Sequence, residues 1–159
     1  MYCQFENGGY GIYLRGLNTG NLDSGTVVMG SRFINQYYRG FYAIYEANLQ
    51  FGMNEISSNT SLSSYIGTYV NYCRGIRFES NRFADINNNG AYFYDVDGYG
   101  TLMPSVIANN FVHIAGTSSG YGFYIAYNDN VILAHNSVNV TNTNTTTSAA
   151  YIAYNANLS

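Results

Sequence analysis

The sequence predicts an all-β solenoid of about five stacked coils, each made of three short strands. A G-x-Y-x-x-Y segment, a spacer and an h-x-h-x-x-N-x-h segment (h apolar) recur along the chain, most regularly from Gly122 to Val138, GFYIAYNDNVILAHNSV. Inside these segments apolar residues alternate with a period of two and Tyr, Val, Ile, Phe and Thr abound, which is the pattern of strands. Successive copies of the second tyrosine lie 22 to 33 residues apart. A unit of that length buries its apolar face only by stacking on its neighbours.

Tyr13, Tyr45, Tyr72, Tyr94, Tyr127 and Tyr154 close the first segment of each copy, and five of the six have another tyrosine three residues earlier, at Tyr10, Tyr42, Tyr69, Tyr124 and Tyr151. Ala91 is the exception. Asn54, Asn81 and Asn136 each follow their tyrosine by nine residues, and Asn110 and Ser31 take the same place once loop insertions are allowed. The position three residues before is Val28, Phe51, Phe78, Ile107 or Leu133, and the position two after is Phe33, Ile56, Phe83, Val112 or Val138. Both columns are wholly apolar. A recurring Asn suits a bend, because it tolerates left-handed backbone and its amide can hydrogen-bond to its copies in adjacent coils.

Coils start near residues 10, 40, 67, 90, 122 and 149 of a single 1–159 repeat domain. The first carries an insertion, RGLNTGNLDSG, before the strand TVVMGSRF. The second turns through Glu46, Ala47 and Asn48 and leaves by the polar loop SSNTSLSS. The third turns through Cys73, Arg74 and Gly75 and exits by DINNNG. The fourth carries a second insertion, DVDGYGTLM, then Pro104 at a strand entrance, where a missing N–H is tolerated. The fifth exits by the low-complexity turn TNTNTTTS, and the sixth is only begun. Residues 1–9 read as the tail of a preceding coil and carry no secretion signal. A chain without its own end caps is the expectation, hence a piece of a longer polypeptide or one capped by neighbours.

Composition narrows the function. Charged residues make up 9% of the chain, net charge is −3 and all six basic residues are arginine, so no basic stripe exists for nucleic acid. No apolar run is long enough to span a membrane as a helix. Cys3 and Cys73 fall in different coils and read as two small packed thiols. His113 and His135 occupy different columns and have no companion at metal-ligand spacing.

Strings such as NDNVILAHNSVNV, followed by a Thr/Ser-rich turn and AAYIAYNANLS, resemble the parallel β-helix repeats of large secreted or surface proteins of Bacteroidetes-type bacteria and, more broadly, the right-handed pectin-lyase-like β-helix superfamily. The resemblance covers nearly the whole chain. It implies a right-handed single-stranded parallel β-helix, a handedness that agrees with the general preference for right-handed crossovers. It also implies an extracellular or cell-surface location, with neighbouring domains of a parent chain as partners. That superfamily includes lyases, hydrolases, epimerases, adhesins and structural stalks, and no catalytic motif of its enzymes matches here residue by residue.

Two sites are candidates. The insertions are expected at one corner of the coil, where Arg15, Asp23, Glu46, Asn48, Arg74, Asp95, Asp97 and Asp129 gather. There Asp95 and Asp97, with Arg74 and Glu46, are the candidate catalytic residues of a polysaccharide lyase or glycoside hydrolase, and Asp95 and Asp97 the candidate ligands of a Ca²⁺ ion. The second site is a tyrosine column. Residues two before the second tyrosine are mostly apolar, which assigns that tyrosine inward and leaves Tyr10, Tyr42, Tyr69, Tyr124 and Tyr151 as an outward ladder, a platform for sugar rings. The reading is a non-catalytic extracellular repeat module, a stalk or adhesive surface with polysaccharide contacts. The alternatives are the enzyme just described and a solenoid that self-associates through its open coil ends.

Overall fold

The computed structural model describes residues 2–58, 64–99 and 102–159. Parts of the exit loop at 57–64 and of the second insertion lie outside the described residues. The chain winds through three parallel sheets of six strands each. Sheet I holds Gln4–Glu6, Arg32–Ile34, Glu55–Ser57, Arg82–Ile86, Phe111–Ile114 and Ser137–Val140. Sheet II holds Tyr10–Arg15, Arg39–Ile44, Ile66–Asn71, Asn89–Tyr94, Tyr121–Ala126 and Ser148–Ala153. Sheet III holds Val27–Met29, Gln50–Gly52, Arg77–Glu79, Ser105–Ala108, Asp129–Ala134 and Ala156–Leu158. A short bridge joins sheets II and III, in which Asp23–Ser24 pairs with Glu46–Ala47.

The pairing stacks like on like. Val28, Phe51, Phe78, Ile107 and Leu133 are successive partners in sheet III, and Phe33, Ile56, Phe83, Val112 and Val138 in sheet I. Together with Phe41, Ala43, Val70, Phe93 and Ile125 from sheet II they form one continuous apolar core. Burial of this row is what each coil lacks alone.

Between sheets III and I runs an asparagine ladder. The Oδ1 of Asn81 accepts from both the backbone N–H and the Nδ2 of Asn54, at 3.1 and 3.2 Å, while its own Nδ2 donates to Phe51 O and Asn110 Oδ1. Asn54, Asn110 and Asn136 repeat the arrangement, and Ser31 N–H begins it. Asn54, Asn81 and Asn110 are each 2% exposed, so these bonds replace water that cannot reach the bend. The left-handed residue is not the ladder Asn but the one before it: Gly30, Met53, Ser80, Asn109 and His135 all have φ between 53° and 63°. Asn is therefore chosen here for its amide, and the neighbour takes the backbone strain.

A glycine column at the start of sheet II lets the coils close. A Cβ on Gly67 would lie 2.6 Å from Gly90 O of the next coil and 2.7 Å from the Phe83 ring, and Gly11, Gly40, Gly90 and Gly122 meet the same two kinds of neighbour. Only a hydrogen fits between the carbonyl below and the core beside it.

Candidate functional site

The second bend, between sheet II and the bridge, repeats the geometry of the asparagine bend. A left-handed residue (Tyr45, Tyr72, Asp95, Tyr127 or Tyr154, φ 50° to 62°) precedes an inward position. That position is Glu46, Cys73, Val96, Asn128 or Asn155 along the stack, and only the last two continue as an amide ladder, Asn155 Oδ1 accepting from Asn128 N–H and Nδ2 at 2.9 Å. Asp95 is thus a corner residue, held in left-handed backbone that Asp tolerates.

The residues of the acidic corner separate into two environments. Ala47, Arg74, Asp97 and Asp129 are successive bridge partners in one column, buried at Ala47 and reaching the surface at the other three. Asp97 Oδ1 accepts the backbone N–H of Asp129 at 3.0 Å, and Asp129 Oδ1 accepts from Asn157 Nδ2 at 2.8 Å. Each carboxylate thus ties one coil to the next. Glu46 is not part of this group, because it is the inward residue of its bend, 1% exposed, and accepts from Thr26 Oγ1 at 3.1 Å. Nor do the two insertions share a corner. The first ends before the bridge residue Asp23, whereas the second follows Gly98, on the far side of the bridge. The reason lies in the bridge itself, a segment two residues long that the spacing pattern absorbed into the insertions. Among the described residues no group of three or more His, Cys, Asp or Glu is placed to hold a metal ion.

Burial raises the carboxyl pKa of Glu46, Asp95 and Asp97 alike. The Thr26 hydrogen bond opposes this at Glu46, the Arg74 charge at Asp95, and at Asp97 the hydrogen bond from the Asp129 N–H and then the Arg74 charge. A carboxyl whose folded pKa lies above its unfolded value binds its proton more tightly in the folded state, so the stability it contributes is present in acid and lost as pH rises through the folded value. The unfolding midpoint is therefore expected to be higher near pH 4.5 than near pH 8. Glu46→Gln is expected to raise stability at neutral pH and flatten the dependence, which denaturant titrations across that range check. A Glu46→Gln chain no more stable than the parent at pH 8 would show that the buried charge is harmless.

The tyrosines sit differently from the sequence pattern. The register in sheet II pairs Tyr13, Tyr42, Tyr69, Tyr92, Tyr124 and Tyr151 in succession. Tyr13 therefore replaces Tyr10, and Tyr92 fills the place assigned to Ala91, which faces the core. Tyr10 instead pairs with Arg39 and packs edge-on against Tyr13 and Tyr42. Every ladder tyrosine lies three residues before the bend residue, which is Gly16 in the first coil and Asp95 in the fourth. Counting from Tyr13 and Tyr94 misplaced those two coils. The glycine column carries the correct signal, since Gly11, Gly40, Gly67, Gly90 and Gly122 each precede a ladder tyrosine by two.

The second-tyrosine column is not inward. Tyr45, Tyr72, Tyr127 and Tyr154 are the bend residues themselves, and Tyr127 and Tyr154 are 47% and 71% exposed. Residues two apart share a face only within a strand, and the left-handed residue ends the strand. With Tyr94, these rings form a second outer row, with successive centroids 5.5, 6.4, 5.0 and 4.8 Å apart.

In the main ladder successive centroids are 4.5, 5.3, 4.9, 4.2 and 4.8 Å apart and the planes lie within 16° of parallel. Inside the ladder each ring therefore gives both faces to its neighbours. Ring edges and hydroxyls line the half-buried outer side of sheet II, where the Tyr69 hydroxyl accepts from Asn71 Nδ2 at 3.3 Å. Arg39 reaches over the Tyr69 ring, 5.7 Å from its centroid, and donates to Tyr38 O and Ser64 O.

The remaining candidates are accounted for locally. His113 Nδ1 lies 3.0 Å from Asp85 Oδ1 and its Nε2 2.8 Å from Thr141 Oγ1 on the outer edge of sheet I. Cys73 is buried, which pushes its thiol up to about 12, whereas Cys3 is exposed rather than packed, and both are free. No helix among the described residues is long and apolar enough to cross a membrane.

No curated protein and no solved structure gives a significant match to the chain. The family model described as a right-handed β-helix region matches residues 2–158. With the whole chain wound as a parallel three-sheet solenoid and matched by that model from end to end, the protein belongs to the right-handed β-helix family.

Proposed function

We propose that this β-helix is a non-catalytic repeat module, a rigid rod that works outside the cell or on a bacterial surface and uses the tyrosine-lined sheet II as its contact face. The observation that carries the reading is the continuity of the ladders. Asparagine amides, core aromatics and tyrosine rings repeat from coil to coil, as a spacer requires, while Asp97, Asp129 and Glu46 of the acidic corner are engaged in bonds between coils. Asp97 already accepts a backbone N–H, and Glu46 faces inward, so neither stands ready with Arg74 around a substrate. Polysaccharide is the partner this face is proposed to meet, through ring edges and hydroxyls, and through ring faces at the exposed rings such as Tyr13.

The test is incubation of the chain with neutral and acidic polysaccharides, with and without Ca²⁺, following retention and product size. Retention without shortening is expected, unchanged in Asp95→Ala and Asp97→Ala and weakened at least several-fold in Tyr13→Ala. Calcium-dependent shortening abolished by either Asp variant would replace this reading with the enzyme.

A further inference from the structure

We propose that the tyrosine face of sheet II binds a lattice of ordered water, the surface of an ice crystal. The inference rests on the reading of sheet II as a contact face and names a further ligand for it. Four features of that face point the same way.

First, the main ladder offers no free ring face between its ends, because neighbours stack within 16° of parallel. Stacking of a sugar ring is therefore confined to the exposed ring at the end of the ladder, Tyr13. What the interior of the ladder presents instead is a row of ring edges with one phenolic hydroxyl per coil.

Second, the row is periodic. Parallel strands repeat at about 4.8 Å, and the ring centroids follow at 4.2 to 5.3 Å. This repeat is close to the oxygen spacing along one axis of the hexagonal ice lattice. The second row, Tyr45, Tyr72, Tyr94, Tyr127 and Tyr154, follows the neighbouring bend at a looser and less regular repeat, so the match is carried by the main ladder.

Third, the face carries little charge. Along the main ladder the strands contribute Arg39 and Arg15, and Asp95 stands at the bend. Arg39 is folded down onto Tyr69 and held by two carbonyls. A face of few charges does not impose the strong hydration of a highly charged one.

Fourth, the spacing is locked. Each hydroxyl–water contact is weak, and a lattice is recognised only when many form at once, which requires the protein groups to be held at the repeat before binding. The asparagine ladder and the glycine column hold the coils at a set separation.

The experiment measures thermal hysteresis and ice-crystal shape with the purified chain, alongside its retention on insoluble polysaccharides. The expected result is a freezing-point gap with faceted crystals. It should fall several-fold in the triple variant Tyr42→Phe, Tyr69→Phe, Tyr124→Phe, which keeps the stack and removes the hydroxyls, with an unchanged circular dichroism spectrum. It should be unaffected by Glu55→Gln on the outer side of sheet I. Round crystals and no hysteresis in the parent chain overturn the proposal. With polysaccharide retention intact, that outcome leaves sheet II as a contact face, whereas loss of both removes the contact face as well. Full hysteresis in the folded triple variant overturns the assignment to the hydroxyl rows.

Discussion

Asn81→Ala is expected to destabilise the protein by about 4 kcal/mol, because it removes the middle rung of a buried ladder. The substitution removes one donor from Phe51 O and leaves the Asn54 N–H and Nδ2 without their acceptor, in a bend where Asn54, Asn81 and Asn110 are all shielded from water. Buried polar groups left unpaired cost about 1–3 kcal/mol each. Asn136→Ala makes the internal comparison. Asn136 also accepts from the N–H and Nδ2 of its neighbour, but it is only half-buried, so water replaces part of what is lost and the expected cost is about 1–2 kcal/mol. Urea unfolding of both variants checks the ordering through the midpoint at constant slope. Equal losses at the two positions would mean that the ladder's buried middle is no stronger than its end.

Gly67→Ala is expected to cost about 3 kcal/mol or more, an unusual penalty for adding one methyl group. Its φ is not the reason, since Gly67 is outside the left-handed region. The cause is the close approach of the next coil: backbone oxygen at 2.6 Å and the Phe83 ring at 2.7 Å leave no room, and a carbonyl in a paired strand cannot move without breaking its own hydrogen bond. Gly9→Ala is the control. The nearest atom there is a ring carbon of Tyr38 at 3.6 Å, ordinary contact, and the expected change is within about 0.5 kcal/mol. A Gly67→Ala chain as stable as the Gly9→Ala chain would show that the coils yield at the sheet II corner.

What was legible follows from which features repeat without loops in between. The two apolar columns and the amide column lie within nine residues of one another, either side of a single tight bend, so spacing alone aligns them. Their pairing partners in sheets I and III are those the pattern names. The tyrosine columns were legible only in part, because the motif was counted from the second tyrosine, a residue of the bend in four coils but not in the first or fourth. In those two coils Gly16 and Asp95 occupy the bend. Counted from the glycine, whose place is imposed by contact with the following coil and passes to Ala149 only in the last coil, the ladder is continuous.

The acidic corner shows the opposite limit. Glu46, Arg74, Asp95 and Asp97 are near one another in the coil pattern, but a bend sends alternate residues inward and outward, and no spacing rule says which. Only the folded chain decides that Glu46 is buried beneath Thr26 while Asp97 clasps the backbone of Asp129.

By itself, then, the sequence determined the solenoid, its three strands per coil, its apolar core and its asparagine ladder, because periodic burial and amide pairing are properties of residue type and spacing. The tertiary structure alone decided which tyrosines stack, that their faces are consumed in stacking, and where each carboxylate points. Those depend on the residue at each bend, left-handed in every coil but the first, which resets the alternation of faces and leaves no mark in hydrophobic periodicity.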